Sequence, residues 1–275
     1  MPARPLVALV IVLLIAAIAA GQIRRGGRRG GYASRSLRYA TADDVDGSFQ
    51  FCRAVYRQNA NVDGGNWSVD FPRADQNLST RLSELTRTPV GLLPDGEPNH
   101  LLVNFSDPVL FKCPFVMATE VGTLFLTDEE ATTLRDYLLK GGFLWVDDFW
   151  GDYAWNAFET QIRKVLPSGP YPIVDLPIEH PIFHALMPLK AVPQVPSINF
   201  WVGSGGGTSE RGRDSAVVHA RAILDDHQRV MVFITHNTDI GDAFEREGDS
   251  REYFLTFSVE GYALGVNVLL YAMTH

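Results

Sequence analysis

Thiols are scarce in this chain. Its 275 residues include two cysteines, Cys52 and Cys113, too few for a disulfide-stapled scaffold or a CxxC zinc module. The pair can bridge after export; kept reduced, each serves as a small buried hydrophobe. Nucleophile elbows are missing as well: neither Gly-x-Ser-x-Gly nor Gly-x-Cys-x-Gly occurs. Cys113 stands before Pro114 and the apolar run Phe115–Ala118, an inert setting for a thiol. Base is also short outside the N-terminus. The first 40 residues hold seven arginines and no acid, which leaves 17 bases against 32 acids in the remainder. An acidic body repels phosphate backbones, so no nucleic acid is expected as a partner.

What is present is a globular composition, 46% hydrophobic and 20% charged, enough for one sizeable domain with an appendage. Leu6–Ala20 is an unbroken apolar run. Fifteen residues at about 1.5 Å each reach about 22 Å, short of a full bilayer core, and Ala17-Ile18-Ala19 offers a cleavage site. Four arginines follow the run, and they favour keeping that side cytoplasmic. Residues 1–23 are therefore expected to be a signal peptide or single membrane anchor, of open orientation, with residues 6–20 as the membrane contact. Residues 24–47 are Gly/Arg-rich and read as a tether, and residues 48–275 as the folded domain.

Within that domain Phe49–Tyr56 alternates apolar and polar residues and has strand composition. Leu101–Asn104 and Phe115–Thr119 suit buried strands. Thr127 and Glu130 have capping-box spacing ahead of an apolar helical face that ends at Gly141-Gly142, and Phe143–Val146 then reads as a buried strand. A helix returning through glycine into a buried strand is the repeat of a parallel α/β sheet. Trp155–Leu166 reads as the next helix and Gly203–Ser209 as a loop, with no Lys-Ser/Thr to make it phosphate-binding. Ala216–Leu224 and Arg229–Thr235 read as strands around a turn at Asp225-Asp226-His227, and the stripe from Tyr262 to Met273 as a core helix.

Four polar groups are candidate sites. Asp147-Asp148 follows a buried strand, where α/β sheets gather ligands; the pair suits a metal or acid–base work, or else caps the next element. His180-Pro-Ile-Phe-His184 lacks the Glu of a zinc helix motif, so one structural and one exposed histidine is the competing reading. His236, Asp239 and Asp242 follow a second apolar strand, as a site or as an Asx-type turn. Trp67 with Asp70 and Asp75 resembles the aromatic-and-carboxylate lining of a polar-ligand surface, or a buried Trp beside capping carboxylates. If the two strands run parallel in one sheet, Asp147, Asp148, Asp239 and Asp242 converge on one pocket, with His180 or His184 at its rim.

The segments Asn66–Thr86, Gly141–Gly151 (GGFLWVDDFWG), His180–His184 and His236–Glu245 (HNTDIGDAFE) together resemble the domain-of-unknown-function (DUF) family 4159. That family is similar in fold to class I glutamine amidotransferase-like and trehalose-utilisation-like domains. The resemblance implies a flavodoxin-like, doubly wound, mostly parallel α/β sheet and no established activity. An amidotransferase carries Cys at the elbow after its strand; here Asp147-Asp148 follows, so a glutaminase reaction is not expected. The leading expectation is an exported or membrane-tethered cell-envelope domain that binds a ligand, an envelope protein or a glycan. The alternative is a metal-assisted hydrolase acting on a glycan or other polar substrate, using Asp147, Asp148 and the His180/His184 or Asp239/Asp242 groups. No motif indicates a cofactor, and a divalent metal is compatible with Asp147 and Asp148.

Overall fold

The computed structural model describes residues 39–59 and 64–275. The apolar run Leu6–Ala20 and the stretch through Arg38 lie outside the described residues. The domain begins at Tyr39, earlier than the expected residue 48. The Ala40 N–H donates to the Leu102 carbonyl at 2.9 Å, and Thr41 caps a short 3-10 turn at Ala42–Asp44. Backbone groups at the end of the expected tether thus find partners on the sheet edge.

In chain order the elements are β1 (Phe51–Val55), β2 (Arg57–Gln58), α1 (Arg73–Thr86), β3 (His100–Asn104), β4 (Val116–Thr119), β5 (Leu124–Phe125) and α2 (Asp128–Leu139). There follow β6 (Leu144–Asp147), α3 (Gly151–Val165), β7 (Ile173–Asp175), α4 (Ile198–Ser204), β8 (His219–Leu224), β9 (Val230–His236), α5 (Ile240–Glu245) and α6 (Val259–Thr274). Seven strands form one sheet in the order β3-β1-β4-β6-β9-β8-β7. The first five are mutually parallel, and β8 runs antiparallel to both β9 and β7. The turn at Asp225-Asp226-His227 joins β8 to β9. β2 and β5 form a separate antiparallel pair.

Every residue of β1, β4, β6 and β9 is buried, because helices cover both faces of a parallel sheet and leave no strand half-wet. The strand expected within Phe49–Tyr56 is β1, and both polar positions of that segment, Gln50 and Arg53, are buried. Cys52, Val116, Val146 and Ile234 face the layer of α2 and α3. Phe51, Phe115, Trp145 and Phe233 face the layer of α1, α5 and α6. Cys52 and Cys113 form a disulfide inside the first of these cores.

Local signals explain some helix ends and not others. At α2 the Glu130 N–H donates to Thr127 Oγ1 (3.3 Å) while the Glu130 carboxylate accepts the Thr127 N–H (2.8 Å), a complete capping box. Helix α3 instead starts at Gly151, ahead of the expected Trp155. Its first N–H groups donate to Asn237 Oδ1 (2.8 Å) and Asp214 Oδ2 (3.0 Å), partners far along the chain. Helix α4 was not expected; Ser197 caps it and Gly205, at φ 73°, ends it inside the glycine-rich stretch. The segment Arg251–Thr274 is 24 residues long with mean hydropathy 1.3, and 67% of its apolar window is buried within the domain. That apolar length serves the core.

Candidate functional site: a carboxylate cluster at the sheet edge

The chain leaves the carboxyl end of β1, β4, β6 and β9 by loops that each place an acid near that edge: Asp70, Glu120, Asp147-Asp148 and Asp239–Asp242. In an open α/β sheet this is the edge where ligand crevices form. Asp70, Glu120, Asp148 and Asn237 all take left-handed backbone angles, with φ between 55° and 64°. Such conformations cost a non-glycine residue about 1–3 kcal/mol each and persist where surrounding structure holds them.

The acids meet in a compact arrangement. Carboxylate oxygens of Asp70, Asp148 and Asp239 lie within 4.8 Å of one another, and so do those of Asp70, Asp242 and Glu245. Asp147 sits beneath them, taking hydrogen bonds from the Thr235 hydroxyl and from the Gly241 N–H (3.0 Å). Asp239 Oδ1 accepts the Asp242 N–H (2.8 Å), capping α5. Asp242 accepts the Ile198 N–H (2.8 Å) and pairs with Arg246 (3.2 Å). Asp148 Oδ1 accepts the Trp150 indole N–H (3.1 Å). Asp70 Oδ2 is buried with no hydrogen-bond partner.

The electrostatics follow from this crowding. Burial pushes the Asp147 carboxyl up to about 7, against the hydrogen bonds from Thr235 and Gly241. Burial first, and the neighbouring carboxylates second, hold Asp70, Asp148 and Asp239 well above the usual carboxylate range. Burial also raises Asp242 and Glu245, opposed at both by Arg246. A cluster of this kind either shares protons or takes a cation.

Other expected residues lie elsewhere. Asp75 is fully buried and held by Arg53, whose guanidinium also donates to Thr119 Oγ1 (3.0 Å). It is a structural partner under the cluster. Trp67 packs against Phe71, with ring centroids 5.7 Å apart, half-buried on the loop that carries Asp70. His180 and His184 are not at the rim, which corrects that expectation. The His180 ring lies 5.7 Å from Tyr271, whose hydroxyl accepts the N–H of Val230, the first residue of β9. A seven-residue strand spans about 20 Å, so His180 sits at the opposite end of the sheet. There its Nδ1 caps the Pro181–Phe183 turn, and the exposed His184 bonds the Ile178 carbonyl (2.7 Å).

His236 faces the other side of the sheet from Asp147. It lines a cavity of about 260 Å3 with Trp155, His219, Arg221 and Asp214. The His236 Nε2–H donates to the Gly151 carbonyl (3.2 Å), which leaves Nδ1 to accept from Arg221 (3.4 Å). Burial pushes this imidazole down to about 4. Arg221 stacks on Trp155 at 4.2 Å and pairs with Asp175.

Sequence reasoning missed Arg53, Glu120, Glu245 and this cavity. A lone arginine inside an apolar strand was the available signal for the first; the others depend on loops that meet only in the fold. The fold and site together define a layered α/β domain with a mostly parallel sheet and a carboxylate cluster at its carboxyl edge. The family model described as Domain of unknown function (DUF4159) matches residues 51–273, and the chain belongs to that family. No curated protein matches it.

Proposed function

We propose that this chain is a membrane-tethered, exported domain of the bacterial cell envelope that binds a polar ligand, a glycan foremost, at the carboxyl edge of its sheet and performs no thiol chemistry. The observation that carries this reading is the Cys52–Cys113 disulfide. It consumes both cysteine thiols of the sequence, so neither is a nucleophile, and such bridges persist where the surroundings are oxidising. That favours an exported domain over the cytoplasmic one suggested by the arginines after Leu6–Ala20.

Two further observations support it. Taken in chain order, the five parallel strands stand second, first, third, fourth and fifth across the sheet, the arrangement of a flavodoxin-like domain. Where an amidotransferase-like relative would carry its elbow cysteine, β6 runs into Asp148 in a left-handed turn. The hydrolase alternative loses its His180/His184 route, because those side chains are at the far end of the sheet, and keeps only the carboxylate route through Asp239 and Asp242.

The test is thiol labelling of the full-length protein, denatured without reductant straight from cells. We expect no alkylated cysteine before reduction and two after. Two free thiols in the untreated protein would overturn both the export and the thiol-free reading. Ammonia release from glutamine would overturn the second independently.

A further inference from the structure

The carboxylates at the strand ends differ in what balances them. Asp75 has Arg53. Asp242 and Glu245 have Arg246, which also reaches Asp249. Asp147 has a hydroxyl and a backbone N–H. Asp70, Asp148 and Asp239 have oxygens within 4.8 Å of one another, each side chain at least nine-tenths buried. The hydrogen-bond donors to these three acids are one indole N–H and one backbone N–H, and the Arg53 guanidinium, paired with Asp75, acts on Asp70 only through its charge. Among the described residues no guanidinium or ammonium pairs with any of the three. Asp70 Oδ2 is buried without a partner, and an unmet buried carboxylate oxygen is costly unless something fills its place.

The backbone is shaped to admit this oxygen. A Cβ on Gly241 would collide with Asp70 Oδ2 and come within 3.4 Å of Asp239 Oδ1. Gly241 stands in the first turn of α5 and does not have a positive φ, so the glycine is needed for space and not for conformation. Its absent side chain lets carboxylates from the loops after β1 and β9 approach the same point.

We propose that Asp70, Asp148 and Asp239 form a site for a hard divalent cation, calcium foremost. Three carboxylates with no imidazole or thiolate among them select calcium, magnesium or manganese over zinc or copper. Calcium–oxygen contacts of about 2.3–2.6 Å bridge oxygens up to about 5 Å apart, whereas magnesium at about 2.1 Å reaches about 4.2 Å. The triad's oxygens, all within 4.8 Å of one another, can meet calcium at those contacts, and three protein carboxylates are more than the one or two that magnesium usually takes while it keeps several waters. The second triad, Asp70 with Asp242 and Glu245, is closed by Arg246 and takes no ion. The proposal deepens the binding reading above and rests on that edge being the binding edge: the cation fastens the loops after β1, β6 and β9 and offers the polar ligand an electrophilic contact. It does not depend on export.

The experiment uses the full-length chain in detergent, stripped with chelator and dialysed, and titrated calorimetrically with calcium, magnesium and zinc chlorides in separate runs. We expect one calcium per chain, a rise in Tm, and weaker magnesium binding. Asp239→Asn keeps an N-cap for α5, so it folds, and it should weaken calcium by about tenfold or more. Gly241→Ala, which pushes Asp70 away, should do the same, while the surface variant Asp175→Asn should change nothing. No stoichiometric calcium, zinc bound more tightly than calcium, or unchanged affinity in both Asp239→Asn and Gly241→Ala would overturn the proposal. A chain that carries its disulfide and binds no cation would sink this inference and leave the export reading standing.

Discussion

The carboxyl ends of β6 and β9 face two ways, and the two environments they create are opposites. On one face Asp147 and Thr235 look toward α1 and α5, beneath a cluster of acids. On the other, His236 looks toward α3, among Phe149, Trp155 and Arg221. Both environments are buried and rich in titratable groups. They differ in compensation. In the histidine cavity Arg221 meets Asp175 and the His236 ring, while Asp214 satisfies the start of α3. In the acidic cluster, three carboxylates face each other. Burial of polar groups is therefore no guide to a binding site by itself; the unmatched charge is.

The sharpest way to break this contrast is to unmatch a matched acid. Arg53→Met removes the guanidinium from Asp75, which is itself fully buried. A buried ion left alone costs about 3–5 kcal/mol. We expect a fall of that size in unfolding free energy by urea titration, with partial recovery in Arg53→Met/Asp75→Asn. A loss below about 1 kcal/mol would mean that the pair does not hold the floor of the cluster.

The two faces should also pull stability in opposite directions with pH. His236 titrates near 4 in the folded chain against about 6.5 when unfolded. Its folded value is the lower, so its contribution is complete above about 6.5 and is lost as pH falls toward 4, about 3 kcal/mol in all. Asp147, raised to about 7, has the reverse sign: its contribution is present at low pH and lost as pH rises through 7. Comparing His236→Gln with the parent chain at pH 4.5 and 7.5 isolates the first effect. The variant should lose less stability on acidification; equal slopes would show that His236 is not held neutral by its burial.

How much of this was legible in the sequence depended on distance along the chain. The capping box of Thr127 and Glu130 spans three residues, and α2 was readable from it. Asp148 and Asp239 were readable because each follows an unbroken apolar strand, and strand ends are where α/β sheets collect polar groups. Asp70 was picked out beside Trp67, but its approach to Asp239 needed the loops after β1 and β9 to meet. The match of Arg53 with Asp75 crosses from strand to helix, so alternation alone gave no sign of it. His180 was misplaced for a related reason: its local pattern says nothing about which end of the sheet its loop crosses. The start of α3 was lost because its caps come from Asn237 and Asp214.

A third prediction concerns the cation. At a calcium concentration a hundredfold above Kd, ligand binding adds about 2.7 kcal/mol to folding stability. The parent chain should gain about that much over its chelator-treated form. In chelator, Asp239→Asn should be at least as stable as the parent, since it removes one of three crowded charges and keeps the cap. Denaturant midpoints in calcium and in chelator read both effects. Destabilisation of Asp239→Asn in chelator by more than about 1 kcal/mol would mean that its charge is already matched, and the two faces would no longer differ in kind.

The smallest expected effect lies on the histidine side. Asp175 pairs with Arg221 at 3.0 Å, yet its side chain is 78% exposed. An ion pair so open to water contributes about 0–1 kcal/mol, most often near the lower end. Arg221 also stacks over Trp155 at 4.2 Å and reaches His236 Nδ1, so it keeps its place when Asp175 is removed. Asp175→Ala should therefore change stability by less than about 0.5 kcal/mol, with the dependence on salt reduced. Arg221→Ala should cost more, because it uncovers the indole and takes a donor from a buried ring nitrogen. If the two variants cost the same, the exposed pair is what holds Arg221 in the cavity. Compensation on that face would then depend on the surface, and His236 would be left with a partner that salt can remove.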